Sequence, residues 1–210
     1  MTLPGRRAWT VWRRNLDVFA KTWKVHIIEP ALEPLLYLLA LGFGVGYYIS
    51  EIDGVPYVEF IAPALVAVSI MNASFFECTY GSYVRMYYQK TFDAVIATPV
   101  SIEEVIAGEI LWGATRSLIS ASLIVPILLL FGVAALPSSL LIIPFAFLAG
   151  LLFASLGMCF TAVIPNIEAI TYPALLFITP MFLFSGTFFP LSLLPPLLQA
   201  LALAALLSKD

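Results

Sequence analysis

Five apolar stretches, at 27–49, 58–80, 105–131, 139–164 and 169–189, constrain this chain more than anything else in it. Each is long enough, as a helix rising about 1.5 Å per residue, to cross the roughly 30 Å of hydrocarbon in a bilayer. No stretch alternates apolar and polar residues long enough for an outer-membrane barrel strand. A segment in lipid must satisfy its backbone polar groups internally, so helix is the expected state of all five. Composition agrees: 61% of the 210 residues are hydrophobic and 11% charged. A water-soluble domain carries about 25% charged residues, so lipid rather than water is the solvent that suits this surface. The expected fold is all-α, a polytopic transmembrane bundle over 27–210.

A different segment precedes it. Residues 4–24 hold six of the ten basic residues. Trp9, Trp12, Leu16, Phe19, Trp23 and Ile27 recur at helical spacing and project within an arc of roughly 80–100°. The arginines, Arg13 among them, and the lysines take the rest of the wheel. This pattern predicts an amphipathic helix over 1–26 lying in the membrane interface, with aromatics toward lipid and cations toward water or phosphate. Membrane lipids, and no nucleic acid, are its expected surface partners.

Orientation follows from the placement of lysine and arginine. The N-terminal segment has six and the loop at 81–104 has two, Arg85 and Lys90, whereas the loops at 50–57 and 132–138 have none. The N-terminus and the 81–104 loop are therefore expected in the cytosol. After Pro190, the run 191–207 is interrupted by Pro195 and Pro196 and reads as a re-entrant segment.

Chemistry-bearing residues are few. There is no Gly-x4-Gly-Lys-Ser/Thr phosphate loop, and the single histidine, His26, has no partners from which a catalytic set or metal site could be built. No catalytic residue, metal or cofactor is expected. Cys78 and Cys159 sit in apolar runs and read as packing residues. Charge inside hydrocarbon is costly and usually functional, which singles out Arg116, near the middle of the third run. It needs a partner, and Glu109, two helical turns earlier, and Glu77, at the end of the second run, are the candidates; snorkelling to the cytosolic surface is the alternative. Glu29 and Glu33, interleaved with Pro30 and Pro34, either snorkel or fix an elbow between the interfacial helix and the first span.

In the cytosolic loop, Thr91–Ala97 has the pattern of one or two helical turns, ended at Thr98-Pro99. Ser101-x-x-Glu104 then fits a capping box opening the third span. The short helix would present Phe92, Val95 and Ile96 as apolar knobs.

Four pieces of the chain resemble a known family. They are Glu33-Pro-Leu-Leu-Tyr-Leu-Leu-Ala-Leu-Gly-Phe-Gly, Thr91-Phe-Asp-Ala-Val-Ile-Ala-Thr-Pro-Val, Gly108-Glu-Ile-Leu-Trp-Gly-Ala-Thr-Arg and Phe184-Ser-Gly-Thr-Phe-Phe-Pro-Leu-Ser-Leu-Leu-Pro. In this order they are similar to the ABC type-2 transporter permeases, especially the nodulation-factor and polysaccharide export branch. The resemblance implies an exporter of the bacterial inner membrane in which two permease copies line the path of an amphipathic or saccharide-type substrate. A separate ATP-binding cassette ATPase would bind the nucleotide. It also implies that Thr91, Phe92, Asp93 and Ile96 form a coupling helix docking on that ATPase. Trp9, Trp12, Arg13, Phe19 and Trp23 would lie on a cytosolic gate helix. Ser185, Gly186, Phe189 and Pro190 would belong to the outer re-entrant region. Family members end in a sixth span, and this sequence stops within the re-entrant region. A truncated, non-transporting assembly partner is thus a second reading. A secondary transporter is a third, weakened by the absence of inverted repeats.

Overall fold

The computed structural model describes residues 5–49, 51–52, 54–134 and 138–184. The expected re-entrant segment, with Ser185, Gly186, Phe189 and Pro190, lies outside the described residues.

Helix α1 runs from Ala8 to Tyr37 and continues in wide π-type turns through Leu38–Val45. A two-residue hairpin follows, Glu51–Ile52 against Val55–Pro56, antiparallel. Helix α2, Tyr57–Phe76, carries on through π segments Glu77–Gly81 and Val84–Tyr88. Helix α3 is short, Thr91–Ile96, and α4 is long, Ile102–Leu130. Helix α5 is Ile142–Val163. The last described run begins as a tight turn at Ile167–Ile170. It passes through α6, Thr171–Pro173, and a π segment, and ends in α7, Thr179–Phe184. The only described strands are the hairpin pair, so the fold is an all-α polytopic bundle.

Four of the described helices are long and apolar enough to cross a membrane: His26–Val45, Tyr57–Tyr88, Ile102–Leu130 and Ser139–Val163. A shorter apolar helix covers Ile167–Phe182, within the fifth expected run. Two boundaries differ from the sequence reading. The interfacial segment and the first span are one uninterrupted helix, with no break at 26–27 and with Pro30 and Pro34 inside it. Proline removes one backbone hydrogen bond and tilts the axis, but in lipid a full break would strand several more polar groups. The second helix also runs on to Tyr88, through the start of what reads as a polar loop. The reason is that Ser82 and Arg85 there have partners inside the bundle.

Helix α4 sits at the centre, contacting α1, α2 and α5. Its start is fixed by the capping box: Ser101 Oγ accepts from the Glu104 amide at 3.3 Å, and Glu104 Oε2 accepts from the Ser101 amide at 3.1 Å. Ile61, Leu65, Ile70, Ala121, Ile124, Leu128 and Ala146 form its main apolar core with Leu38 of the first helix. Small residues let the helices approach closely. A Cβ placed at Gly150 would lie 2.9 Å from Ala114 Cα, and one at Gly157 would lie 2.8 Å from the Phe75 carbonyl. The small face of α5 thus serves contact within the chain.

Candidate functional site

The centre of interest is a cluster of five charged side chains from three helices, built around Glu109. This residue of α4 is fully buried. Burying a lone carboxylate in hydrocarbon is prohibitive, so its oxygens must be met by donors. Oε1 accepts from Asn15 Nδ2 at 3.0 Å and from Arg14 Nη2 at 3.1 Å, both on α1. Oε2 accepts from Ser82 Oγ at 3.1 Å and from Arg85 Nε at 2.9 Å, on the continuation of α2. One carboxylate therefore ties the interfacial part of α1 to the second and third spans. Burial lowers the pKa of Arg14 from its ordinary value, and the adjacent Glu109 carboxylate opposes that shift.

Arg85 is the hub on the opposite side. Its Nη1 donates to Glu77 Oε1 at 2.8 Å, and its Nη2 donates to the Glu77 carbonyl and to Ser82 Oγ. Arg116 Nε lies 3.3 Å from Glu77 Oε2, a charge contact without hydrogen-bond alignment. Its guanidinium carbon also stands 5.2 Å from the centre of the Phe19 ring. Of the sequence-level candidates, then, Glu77 is the one brought to Arg116, while Glu109 is taken by Arg14 and Arg85. The two arginines should behave differently when removed. Arg85→Met leaves unmet part of the buried Glu109 carboxylate and part of the half-buried Glu77 one, and is expected to cost about 3–5 kcal/mol. Arg116→Met leaves Glu77 still held by Arg85 and should cost only about 1–2 kcal/mol. Thermal denaturation of both variants in one detergent checks this; equal losses would contradict the hierarchy.

Arg14, Asn15, Ser82 and Arg85 escaped the sequence reading. Arg85 was legible only as a marker of orientation. The signal for Arg14 is its neighbour: Arg13 and Arg14 are about 100° apart on a helix, so both cannot face water when one side packs. Arg13 is exposed, and Arg14 follows Val11 and Asn15 toward α4.

The aromatic stripe of α1 divides in the same way. Trp12 donates its indole N–H to Thr115 Oγ1 at 2.8 Å, and Phe19 meets Trp112 edge-on at 5.6 Å between centroids. Trp9, stacked on Trp12, and Trp23 remain exposed. The residues read as one lipid-facing surface thus serve both an intramolecular contact and an outer face.

Helix α3 also differs from its sequence pattern. Phe92 is buried against Val11 and Val105, so it faces the chain's own core instead of a docking partner. An apolar side chain on a two-turn helix can serve only one side, and the nearby interfacial helix occupies it. Asp93 and Ile96 are exposed, and Thr91 is half-buried. The turn into α3 is made by Lys90 with φ of 52°, a left-handed conformation that side chains other than glycine seldom adopt. Arg7 donates to the Pro99 carbonyl, fastening the far end of α3 to the start of α1.

Among the described residues, no three His, Cys, Asp or Glu side chains gather as a metal site. Cys78 is buried and Cys159 exposed, both as free thiols.

The described residues thus form a helical bundle around a buried ionic hub, with four helices long and apolar enough to cross a membrane. The chain belongs to the ABC-2 type transporter family, which matches residues 6–208. It is 35% identical over 192 residues to Nodulation protein J of Sinorhizobium fredii, covering 91% of this chain and 73% of that protein. It is 38% identical over 189 residues to Nodulation protein J of Rhizobium meliloti, covering 90% and 72%. The inner membrane transport permease YadH of Escherichia coli is 24% identical over 193 residues, covering 92% and 75%. No solved structure matches the chain.

Proposed function

We propose that this chain is the membrane-spanning subunit of an ATP-driven exporter in a bacterial inner membrane, with its N-terminus and α3 in the cytosol. A separate ATPase subunit binds and hydrolyses ATP. Two permease copies bound the path of an amphipathic or saccharide-type substrate. The observation that carries this reading is the seat of α3. Phe92 locks the short helix onto Val11 of α1 and Val105 of α4, while Asp93 and Ile96 stay outward. A push on the outer face of α3 is therefore delivered to two membrane helices at once, which a mere loop helix would not need to do. From α1 and α4 the displacement reaches the second span through Glu109 and Arg85. Such transmission between packed elements is how a partner's closure can shift helices between two arrangements.

Co-purification with the ATPase tests this. Asp93→Lys combined with Ile96→Glu should abolish association while leaving the melting temperature of the chain within about 2 °C, because exposed substitutions usually change stability by under about 0.5 kcal/mol. Phe92→Glu should lose both, since a carboxylate cannot sit between Val11 and Val105. Retention of the ATPase by the double variant would exclude α3 as the docking element. Substrate-stimulated ATP hydrolysis in liposomes containing both subunits should appear only when they are associated; its absence from an associated pair would favour a non-transporting assembly role.

A further inference from the structure

The wide turn of α2 at Glu77–Gly81 redirects its backbone hydrogen bonds. In an α-helix the Ser82 amide would donate to the Cys78 carbonyl, four residues back. Here it donates to the carbonyls of Glu77 and Thr79. The Cys78 carbonyl is met from another helix: Thr161 Oγ1 of α5 donates to it at 2.7 Å. Thr161 is fully buried. Its hydroxyl has one proton and two further acceptors in reach, the Gly157 carbonyl of its own helix at 3.0 Å and the Thr79 carbonyl at 3.3 Å. Cys78 is pinned from both sides. Its Sγ donates to the Glu109 carbonyl at 3.4 Å, and glycines let α4 and α5 close on it. A Cβ at Gly113 would lie 2.6 Å from Cys78 Sγ, and one at Gly157 would lie 3.2 Å from Cys78 Cβ. The stretch beyond the turn joins the hub to α3. Ser82 and Arg85 hold Glu109, Met86 packs beside Phe92, and the stretch ends at Lys90 in its left-handed conformation.

We propose that the Thr161 hydroxyl is the catch of a two-state turn, and that its bond to the Cys78 carbonyl keeps Ser82 and Arg85 aimed at Glu109. In the released state the hydroxyl donates to the Gly157 carbonyl, as threonine does within its own helix. The Ser82 amide then takes the Cys78 carbonyl, and the turn closes as ordinary α-helix. Each amide from Gly81 onward steps to the next carbonyl, so no backbone group is stranded. The surplus residue passes toward the joint at Lys90. Residues 82–88 turn by about 100° about the axis, one residue's share of an α turn. Ser82 and Arg85 leave Glu109, which keeps Asn15 and Arg14, while Glu77, before the turn, keeps Arg116 beside it. Each acid thus has a partner in both states, as a bistable element requires. Release also breaks the bond from the Tyr83 hydroxyl to the Pro165 carbonyl at 3.3 Å, which favours the held state at rest. The catch is a property of this chain alone. Its release by a push on α3, passed on through Met86, rests on the exporter reading and states what that push changes.

Hydrogen–deuterium exchange on the full chain in membrane vesicles reads the turn directly. Thr161→Val keeps the side-chain shape and loses the donor, whereas Thr161→Ser keeps the donor. Exchange of peptides covering 82–88 should quicken about tenfold in Thr161→Val, the factor that one net hydrogen bond gives, and stay within about twofold in Thr161→Ser. Exchange over 66–76 of the same helix should not change. Quickening shared equally by 66–76 would show a hydroxyl that merely stabilises the bundle and would overturn the catch. So would unchanged exchange over 82–88 in Thr161→Val, or a serine variant behaving like the valine one. A second arm adds the ATPase with adenylyl imidodiphosphate and needs no variant to fold. The unaltered chain should then exchange faster over 82–88, and Thr161→Val should gain nothing further. An associated ATPase whose nucleotide leaves 82–88 unchanged would overturn the link to α3. Failure of the ATPase to associate would reject the exporter reading alone, because the valine and serine comparison requires no partner.

Discussion

Replacement of Glu109 by leucine is expected to lower the melting temperature of the folded chain steeply. The carboxylate accepts from Asn15, Arg14, Ser82 and Arg85, and no described neighbour can take over. Removing one member of a buried ionic group leaves its partners charged and unmet, which costs about 3–5 kcal/mol. That is a large part of the roughly 5–15 kcal/mol by which folded domains are stable. Glu109→Gln should fall between, because its carbonyl oxygen can still accept from one side while its amide N–H group faces the arginine on the other. Adding Arg85→Met to Glu109→Leu should cost less than the sum of the two single changes, since the Arg85–Glu109 charge pair is removed together and Glu77 keeps Arg116 beside it. Thermal denaturation of all three in one detergent, followed by tryptophan fluorescence, checks this. A Glu109→Leu chain melting like the unaltered one would show that the hub holds nothing together.

The second large effect concerns one methyl group. A Cβ at Gly108 would stand 2.6 Å from Val11 Cβ and 2.8 Å from the Ala8 carbonyl oxygen, both on α1. A backbone oxygen cannot swing aside, so Gly108→Ala forces α1 away from α4. Overpacking of this kind costs about 1–3 kcal/mol. Here the strain has an easier outlet than global unfolding: release of the first turns of α1, which would carry Val11 away from Phe92. Trypsin should then cleave at Arg6, Arg7 or Arg13 at least about tenfold faster, the factor that 1.4 kcal/mol of easier opening gives. At Gly44 a Cβ meets nothing within 4 Å, and Gly44→Ala should leave cleavage unchanged. Equal cleavage of the Gly108→Ala chain and the unaltered chain would mean that α1 does not depend on this contact.

The architecture was largely legible because hydropathy reports directly on solvent, and lipid admits few backbone solutions. Long apolar helices at Tyr57–Tyr88, Ile102–Leu130 and Ser139–Val163 overlap the runs at 58–80, 105–131 and 139–164, the first of them running eight residues past its expected end. What could not be read was which polar residues face protein and which face water. Ser82 and Arg85 look like loop residues because polarity in sequence does not say whether a partner waits on another helix. Arg14 looks like its neighbour Arg13, and Phe92 like a docking knob, for the same reason. The ionic hub is long-range: Glu109 is separated from Arg14 by 95 residues and from Arg85 by 24. Local periodicity carries no information about such pairs. Arg116 and Glu77 were singled out because charge in hydrocarbon demands an explanation wherever its partner lies.

The widened turns that carry α2 from Glu77 to Tyr88 have a bearing on how such chains tolerate change in length. Removing a single residue from such a turn would let it tighten to ordinary pitch while the helix on either side keeps its facing, whereas a gap in regular α-helix swivels everything beyond it by about 100° about the axis. A one-residue gap within 78–81 would leave the guanidinium beyond it still aimed at Glu109. The inner end of this span can therefore absorb a change in count that the regular helices cannot.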